Sequence, residues 1–444
     1  MSYWQKRIFF LCWTAYAFAY LGRINLSVAL PMMDASLSSA DKSNLGVIGS
    51  LFFWTYAFGQ LINGKLGDRF SGRRFIFTGL IVSALMNILF SFSSNLMLMY
   101  VFWAINGYFQ SMLWGPLMRI LNKWFSEEKK YKMGLYIFSS VVGGFLLTWG
   151  VLGQISVYAG WRSVFWIPGI VIILYSIVWY VFARNSPEEA GLNSEAGLYL
   201  EEGLYLEGEE SRTGEEMGVF KSETYEKRKD SIVTEFETKH TSFVKFILHS
   251  KLYLVALSGI PLGFVREGIS LWGPTMLFET FKLNLQSTMG SVLLIPFFNF
   301  FGVIAARILI TKFVHKEAKL GALFFAGGTI TCALLYLSKD LSILVFLLML
   351  AACSMSLYGA TSILTSVIPM KYHMTSSIAG FLDFSIYLGA GISGIVSGTL
   401  SKEFGWGTMA LIWTVAGIAG ILCIYLAGMN DSTQKRENII YSKF

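Results

Sequence analysis

The sequence predicts an all-α membrane protein of twelve transmembrane helices in two pseudo-symmetric six-helix bundles, and three observations carry that expectation. Composition is the first: 54% of the 444 residues are hydrophobic, 14% are charged and the mean hydropathy is +0.56, far from the balance of a water-soluble domain. The second is the layout of the apolar segments, six followed by a long polar joint and then six more. Charge asymmetry is the third. Lys6, Arg7, Lys65, Arg69, Arg73, Arg74, Lys123, Lys129, Lys130, Lys132, Lys312, Lys316, Lys319, Lys371, Lys435, Arg436 and Lys443 fall on one side of that layout, against Lys42, Arg162, Lys282, Lys339 and Lys402 on the other. By the positive-inside rule, both termini and the joint face the cytoplasm of a multi-pass plasma-membrane protein.

Taken in order, the first six segments run at roughly 8 to 33, 44 to 66, 74 to 93, 96 to 122, 133 to 157 and 162 to 183. Lys6-Arg7 followed by an apolar run has the look of a signal sequence, but with no small-residue cleavage site it reads as an uncleaved first span. The second six run at roughly 252 to 277, 289 to 311, 319 to 337, 341 to 369, 376 to 400 and 407 to 428. Each is close to the ~20 residues that cross a bilayer. The expected division is a bundle over 1–186, a linker over 187–245, a second bundle over 246–430 and a tail over 431–444.

The linker is acidic, with 15 of the chain's 28 Asp and Glu lying in 188–240 against six Lys or Arg. It repeats itself, Glu189-Ala-Gly-Leu192 being followed by Glu195-Ala-Gly-Leu198 and Glu202-Gly-Leu204. Glycine interruption and like-charge repulsion predict a mostly disordered tether over 187–243. The rest of the chain is strongly basic, which suits anionic lipid headgroups, and nucleic acid is not implied. Cys12, Cys332, Cys353 and Cys423 lie in apolar segments without pairing or ligand spacing, and His240, His249, His315 and His373 stand singly. No metal, no cofactor and no catalytic constellation is expected, so the chain does not read as an enzyme.

Arg23 stands midway along the first span. A central arginine costs about 2.5–3.5 kcal/mol on insertion scales, so it faces protein or a watery cavity. Tyr16, Tyr20 and Arg23 share one helical stripe, which suits an oxygen-rich anion. Arg266 occupies the matching place in the seventh span, within Pro261-Leu-Gly-Phe-Val-Arg266-Glu267-Gly268. If the halves are related by a pseudo-two-fold axis, the two guanidiniums face each other across a central cavity, and their forks suit a dianion such as phosphate. Two unpaired cations in a dry core favour exchange of one anion for another. Glu267 and Asp383 are acids at membrane depth, for which the readings are charge balance, a substrate hydroxyl contact or a coupling proton.

The turn Gly64-Lys-Leu-Gly-Asp68-Arg69-Phe-Ser-Gly72-Arg73-Arg74 resembles the loop signature of the major facilitator superfamily. That resemblance implies a gating role for Asp68, with Arg69 and Arg73 beside it. Arg119, toward the cytoplasmic end of the fourth span, reads as structural or gating, as does Arg307. The corresponding turn after the eighth span, Arg307-Ile-Leu-Ile-Thr311-Lys312, lacks the acid.

Tyr20-Leu-Gly-Arg23-Ile-Asn25-Leu-Ser-Val-Ala29, together with Arg266 and Trp272-Gly-Pro274, narrows the resemblance to the organophosphate:phosphate antiporter family. Trp114-Gly115-Pro116 through Arg119 to Trp124-Phe125, Gly380 through Tyr387 to Gly389, and Ser186-Pro187 through Leu192 are similar to that family's fourth span, eleventh span and exit from the sixth. The resemblance implies Arg23 and Arg266 as phosphate ligands and Tyr16, Tyr20, Tyr56 and Tyr387 as cavity hydroxyls. Gln60 and Ser140 stand where glycerol-3-phosphate antiporters carry a lysine and a histidine, and the resemblance implies them as substrate-binding residues of the cavity.

The expected function is exchange of an organophosphate for inorganic phosphate by alternating access, in a monomer by analogy with superfamily relatives. The alternatives are an H+- or Na+-coupled carboxylate or hexuronate symporter, and a transporter-like sugar-phosphate sensor.

Overall fold

A computed structural model describes residues 2–36, 41–192, 243–313, 316–338, 342–369 and 375–428. Most of the acidic linker and the C-terminal tail, on which the tether expectation falls, lie outside the described residues.

Among those residues the chain is helical throughout. The first span is Tyr3–Ser36, the second Lys42–Arg69 and the third Gly72–Phe92. The fourth is broken into Leu96–Gln110 and Trp114–Trp124, and the fifth runs from Glu127 to Ala159 with a π-helical stretch at Leu146–Leu152. Ser163–Phe182 is the sixth. A short helix, Phe243–His249, leads into the seventh, Leu252–Phe281. Leu285–Val292 and Leu294–Lys312 make the eighth, Glu317–Ser338 the ninth, and Ile343–Ser362 with a π-helical continuation over Ile363–Val367 the tenth.

The eleventh and twelfth share the stretch Thr375–Gly428, which reverses at Gly405 (φ 76°, ψ 170°), a backbone region open to glycine. Nine described stretches are long and apolar enough to cross a membrane, the last of them being this double span. With the first and the broken fourth helices added, the expected twelve are complete.

Both termini of the helical body lie at one end, here the near end. At the far end the two halves are joined. Lys42 Nζ lies 2.6 Å from Glu279 Oε2, which also accepts from Trp406 Nε1 at 2.8 Å. Lys402 Nζ lies 2.8 Å from Asp41 Oδ2. That bond, with help from the Asn44 backbone N–H, holds the Asp41 carboxyl below its usual range. The Asp41 pair is the more exposed of the two, at 41% and 51% for the side chains against 15% and 28% for Lys42 and Glu279, so it contributes less.

Below the ion pairs the second and eleventh spans meet backbone to backbone. Gly391, Gly394 and Gly398 face Trp54, Ser50, Gly46 and Lys42, and a Cβ on Gly394 would stand 2.7 Å from the Gly46 carbonyl oxygen. The Ile395 N–H donates to Ser50 Oγ at 2.9 Å across this seam. Small residues at three- and four-residue spacing allow such an approach where lipid supplies no hydrophobic drive between helices.

Candidate substrate site

The first and seventh spans bring their arginines to the middle of the molecule. Over the seventh span 78% of the apolar window is buried, the highest share among the described candidate spans, so Arg266 and Glu267 cannot face lipid. Arg23 is 6% exposed and Arg266 5%.

Four rings enclose the Arg23 guanidinium: Tyr56 at 4.6 Å, Tyr387 at 5.0 Å, Tyr20 at 5.2 Å and Phe52 at 5.5 Å from its carbon to the ring centre. Each such contact contributes about 0.5–2 kcal/mol, which offsets part of the cost of taking the charge out of water. The rings supply no acceptor for Nε and Nη2, which are buried without a hydrogen-bond partner.

Arg266 shares one of those rings, its carbon standing 5.8 Å from Tyr387 and 5.4 Å from Tyr358. Both guanidiniums therefore flank Tyr387, which places them within about 11 Å of each other. Arg266 differs in having partners: Nη1 donates to Thr361 Oγ1 at 3.1 Å and Nη2 to Glu267 Oε1 at 2.6 Å, while its Nε has none.

Tyr20, Tyr56 and Tyr387 thus line the centre. Tyr16 meets Tyr20 edge-on and Trp114 at a tilt, with ring centres 5.3 and 4.8 Å apart. Gln60 Nε2 donates to the Tyr56 hydroxyl at 2.8 Å and so reaches the centre through that ring. Asp383 is partly buried and lies in electrostatic range of both arginines. Ser140 is buried, but its hydroxyl donates to the Ile137 carbonyl of its own helix rather than to a group in the centre.

This arrangement can hold an anion whose oxygens accept from two guanidinium forks. The family model described as Major Facilitator Superfamily matches residues 12–394. The chain belongs to the major facilitator superfamily.

Among its relatives is the "Probable hexose phosphate transport protein" of Chlamydia trachomatis serovar D, 27% identical over 98% of this chain and 92% of that one. The "Glycerol-3-phosphate transporter" of Bacillus subtilis is 29% identical over 97% and 93%. The "Membrane sensor protein UhpC" of Escherichia coli K12 is 25% identical over 95% and 92%. These relatives bear out the narrower resemblance to the organophosphate:phosphate antiporter type. A partially occluded inward-open structure of the xylose transporter XylE from E. coli superposes with a TM-score of 0.71 at 14% identity, covering 95% of this chain and 99% of that one, and supports the fold. The protein is a membrane transporter and not an enzyme.

In this superfamily member the expected gating residues sit at the near end of the first half. Arg119 donates to the carbonyls of Gly67 and Phe70, closing the turn after the second span onto the fourth. Arg69 and Arg119 line a cavity of about 190 Å³ with Lys123, Asn185 and Glu189. Arg73 is tied to the exit of the sixth span through its N–H to Asn185 Oδ1 at 2.7 Å. The side chain of Asp68 lies outside the described residues.

Sequence reasoning missed the apparatus that orients the first span. Asn106 and Asn87 donate to the Gly22 carbonyl at 2.9 and 3.2 Å, and Gln110 donates to Ala19 at 3.1 Å. Asn25 joins Asn87 to the Val164 carbonyl, and Ser83 closes the ring onto Asn106. These buried amides from the third and fourth spans, with the sixth-span backbone, grip the turn that carries Arg23. Their signal was available, since uncharged amides at membrane depth are also expensive unless paired. Asn87→Leu is expected to cost about 1–3 kcal/mol by leaving Asn25 with the Val164 carbonyl alone and weakening the hold on Gly22. A drop of several degrees in thermal unfolding, accompanied by weaker phosphate binding, would show it; an unchanged transition would remove the network from the account.

Proposed function

We propose that this protein carries a phosphorylated small metabolite across the membrane in exchange for inorganic phosphate, by rocking its two bundles around the arginine centre. The observation that carries this reading is Arg23, buried to 6% exposure with two guanidinium nitrogens lacking an acceptor. Leaving buried donors unpaired costs about 1–3 kcal/mol each, so an anion that fills the centre recovers that free energy. The names of the relatives, hexose phosphate and glycerol-3-phosphate transporters, point to the same chemistry.

In this reading Arg23 and Arg266 hold the phosphate, and Tyr20, Tyr56 and Tyr387, with Tyr16 and Gln60 behind them, shape the chamber. Asp383 and Glu267 balance charge. The far-end ion pairs close one side, and Asp68, Arg69, Arg73 and Arg119 tune the opposite gate. We place both termini and the linker in the cytoplasm and divide the chain into bundles at 1–186 and 246–430, acting as a monomer in the plasma membrane.

Proteoliposomes test this. Uptake of labelled phosphate is expected to need phosphate trapped inside and to ignore an imposed pH gradient. Glu267 and Asp383 beside the arginines give ion-coupled symport a specific rival footing, and uptake driven by that gradient into phosphate-free vesicles would establish it. Binding of sugar phosphate without any transport would favour a sensor instead.

A further inference from the structure

The cavity of about 190 Å³ at the near end of the first half lies apart from the arginine centre, where the turn after the second span meets the fourth span and the exit of the sixth. The segments that form it, 64–74, 116–124 and 184–189, carry seven Lys or Arg against three Asp or Glu. Like charges gathered this closely repel, and a negative group in their midst relieves that.

The two described carboxylates do not fill that role. Both oxygens of Glu189 accept from Asn185, Oε2 from its N–H at 2.8 Å and Oε1 from its Nδ2 at 2.7 Å. Glu188 is fully exposed, so its attraction to Lys123 is screened by water. The third span also begins at this cavity. Its N-cap residue, Ser71, makes no capping bond with its side chain; the hydroxyl instead accepts from Asn185 Nδ2 at 2.9 Å, and the Arg73 N–H donates to Asn185 Oδ1 at 2.7 Å. Among the described residues a neutral amide therefore stands where the positive end of a 21-residue helix would stabilise an anion.

The surroundings suit an amphiphile. Trp4 stacks on Trp124 with ring centres 6.0 Å apart, Trp124 Nε1 donates to the Arg184 carbonyl at 3.1 Å, and the Arg7 guanidinium lies 4.7 Å over the Trp4 ring. Tryptophan with basic residues is the grouping that settles at headgroup depth. Phe70, on the cavity wall, is 56% exposed, so an apolar ring stands directly beside the basic groups. A free phosphate gains nothing from that ring, whereas an acyl chain covers it.

We propose that the near-end cavity binds the phosphate of an anionic lipid headgroup, held by Arg69, Arg119, Lys123 and the N-terminal turn of the third span, with the acyl chains running over Phe70. The headgroup ties the turn after the second span to the fourth span, reinforcing the bonds that Arg119 makes to the Gly67 and Phe70 carbonyls. The site is independent of what the arginine centre carries.

The test pairs native mass spectrometry of the purified full chain with hydrogen exchange in lipid nanodiscs. The probes are phosphatidylglycerol, phosphatidylcholine with the same acyl chains, and inorganic phosphate. Phosphatidylglycerol is expected to be retained in preference to phosphatidylcholine and to resist displacement by excess phosphate. Lys123→Gln is expected to weaken that retention roughly fivefold, the effect of one cation beside an anionic headgroup. Arg162→Gln, which removes a cation between the fifth and sixth spans at the far end, is expected to leave it unchanged. Exchange over residues 66–75 is expected to slow by roughly twofold or more in phosphatidylglycerol discs relative to phosphatidylcholine discs, with no such change over 42–50 at the far end.

Equal retention of the two lipids, equal weakening in both variants, or displacement of the lipid by phosphate would each overturn the proposal, the last by showing a site for a free anion. Where Lys123→Gln does not fold, the exchange comparison on wild type decides, and equal protection in the two kinds of disc overturns it.

Discussion

Arg23→Lys will bind phosphate roughly 10- to 100-fold more weakly than wild type, although the charge is kept and the fold is intact. Each charge-assisted hydrogen bond contributes about 1.5–3 kcal/mol, and an ammonium cannot present two parallel donors to one phosphate. The pocket compounds the loss. Tyr20, Phe52, Tyr56 and Tyr387 stand 4.6 to 5.5 Å from the guanidinium carbon, a spacing suited to a flat cation lying among rings rather than to a compact, strongly hydrated one. Calorimetric titration with phosphate, alongside a thermal unfolding curve, separates lost recognition from lost structure. Wild-type affinity in a well-folded Arg23→Lys protein would remove Arg23 from the binding site.

Gly394→Leu will hold the far-end seam apart and cut exchange by more than about tenfold while the protein still inserts. A Cβ at this position already stands 2.7 Å from the Gly46 carbonyl oxygen and closer still to Ser50 Oγ, and backbone cannot yield as a flexible side chain would. Overpacking typically costs about 1–3 kcal/mol, and here the cost falls on the state in which the second and eleventh spans are closed. A shift of ~1.4 kcal/mol between two conformations changes their ratio tenfold. The expected readout is faster alkylation of a cysteine introduced at Ser50, whose hydroxyl accepts from the Ile395 N–H across the seam. Gly380→Leu is the control, since a Cβ there meets nothing within 4 Å. Equal labelling and equal exchange in both variants would show that the glycine contact does not govern closure.

The parts of the site that were legible beforehand share one property: each is costly in its own place in the sequence. Arg23 and Arg266 stand out because a charge in an apolar run needs a partner wherever the helix lies. Tyr16 and Tyr20 followed from helical spacing to Arg23. Tyr358, Thr361 and Phe52 gave no such signal, since a tyrosine, threonine or phenylalanine in a membrane helix needs no special explanation. Ser140 shows the converse. It was expected in the cavity, and its hydroxyl instead serves the Ile137 carbonyl, as a buried serine can do anywhere along a helix.

Taken alone, the sequence determined the membrane class, the twelve spans, the two halves and the two central arginines, because hydropathy and charge report transfer free energies that belong to each segment separately. Tertiary structure alone decided that one ring, Tyr387, borders both arginines, that Glu267 turns onto Arg266, and that Gly46 meets Gly394. The reason is rotational. A helix buried over most of its surface, as the seventh is, carries little amphipathic signal to say which way each residue points, so its orientation is set by packing against helices far away in the chain.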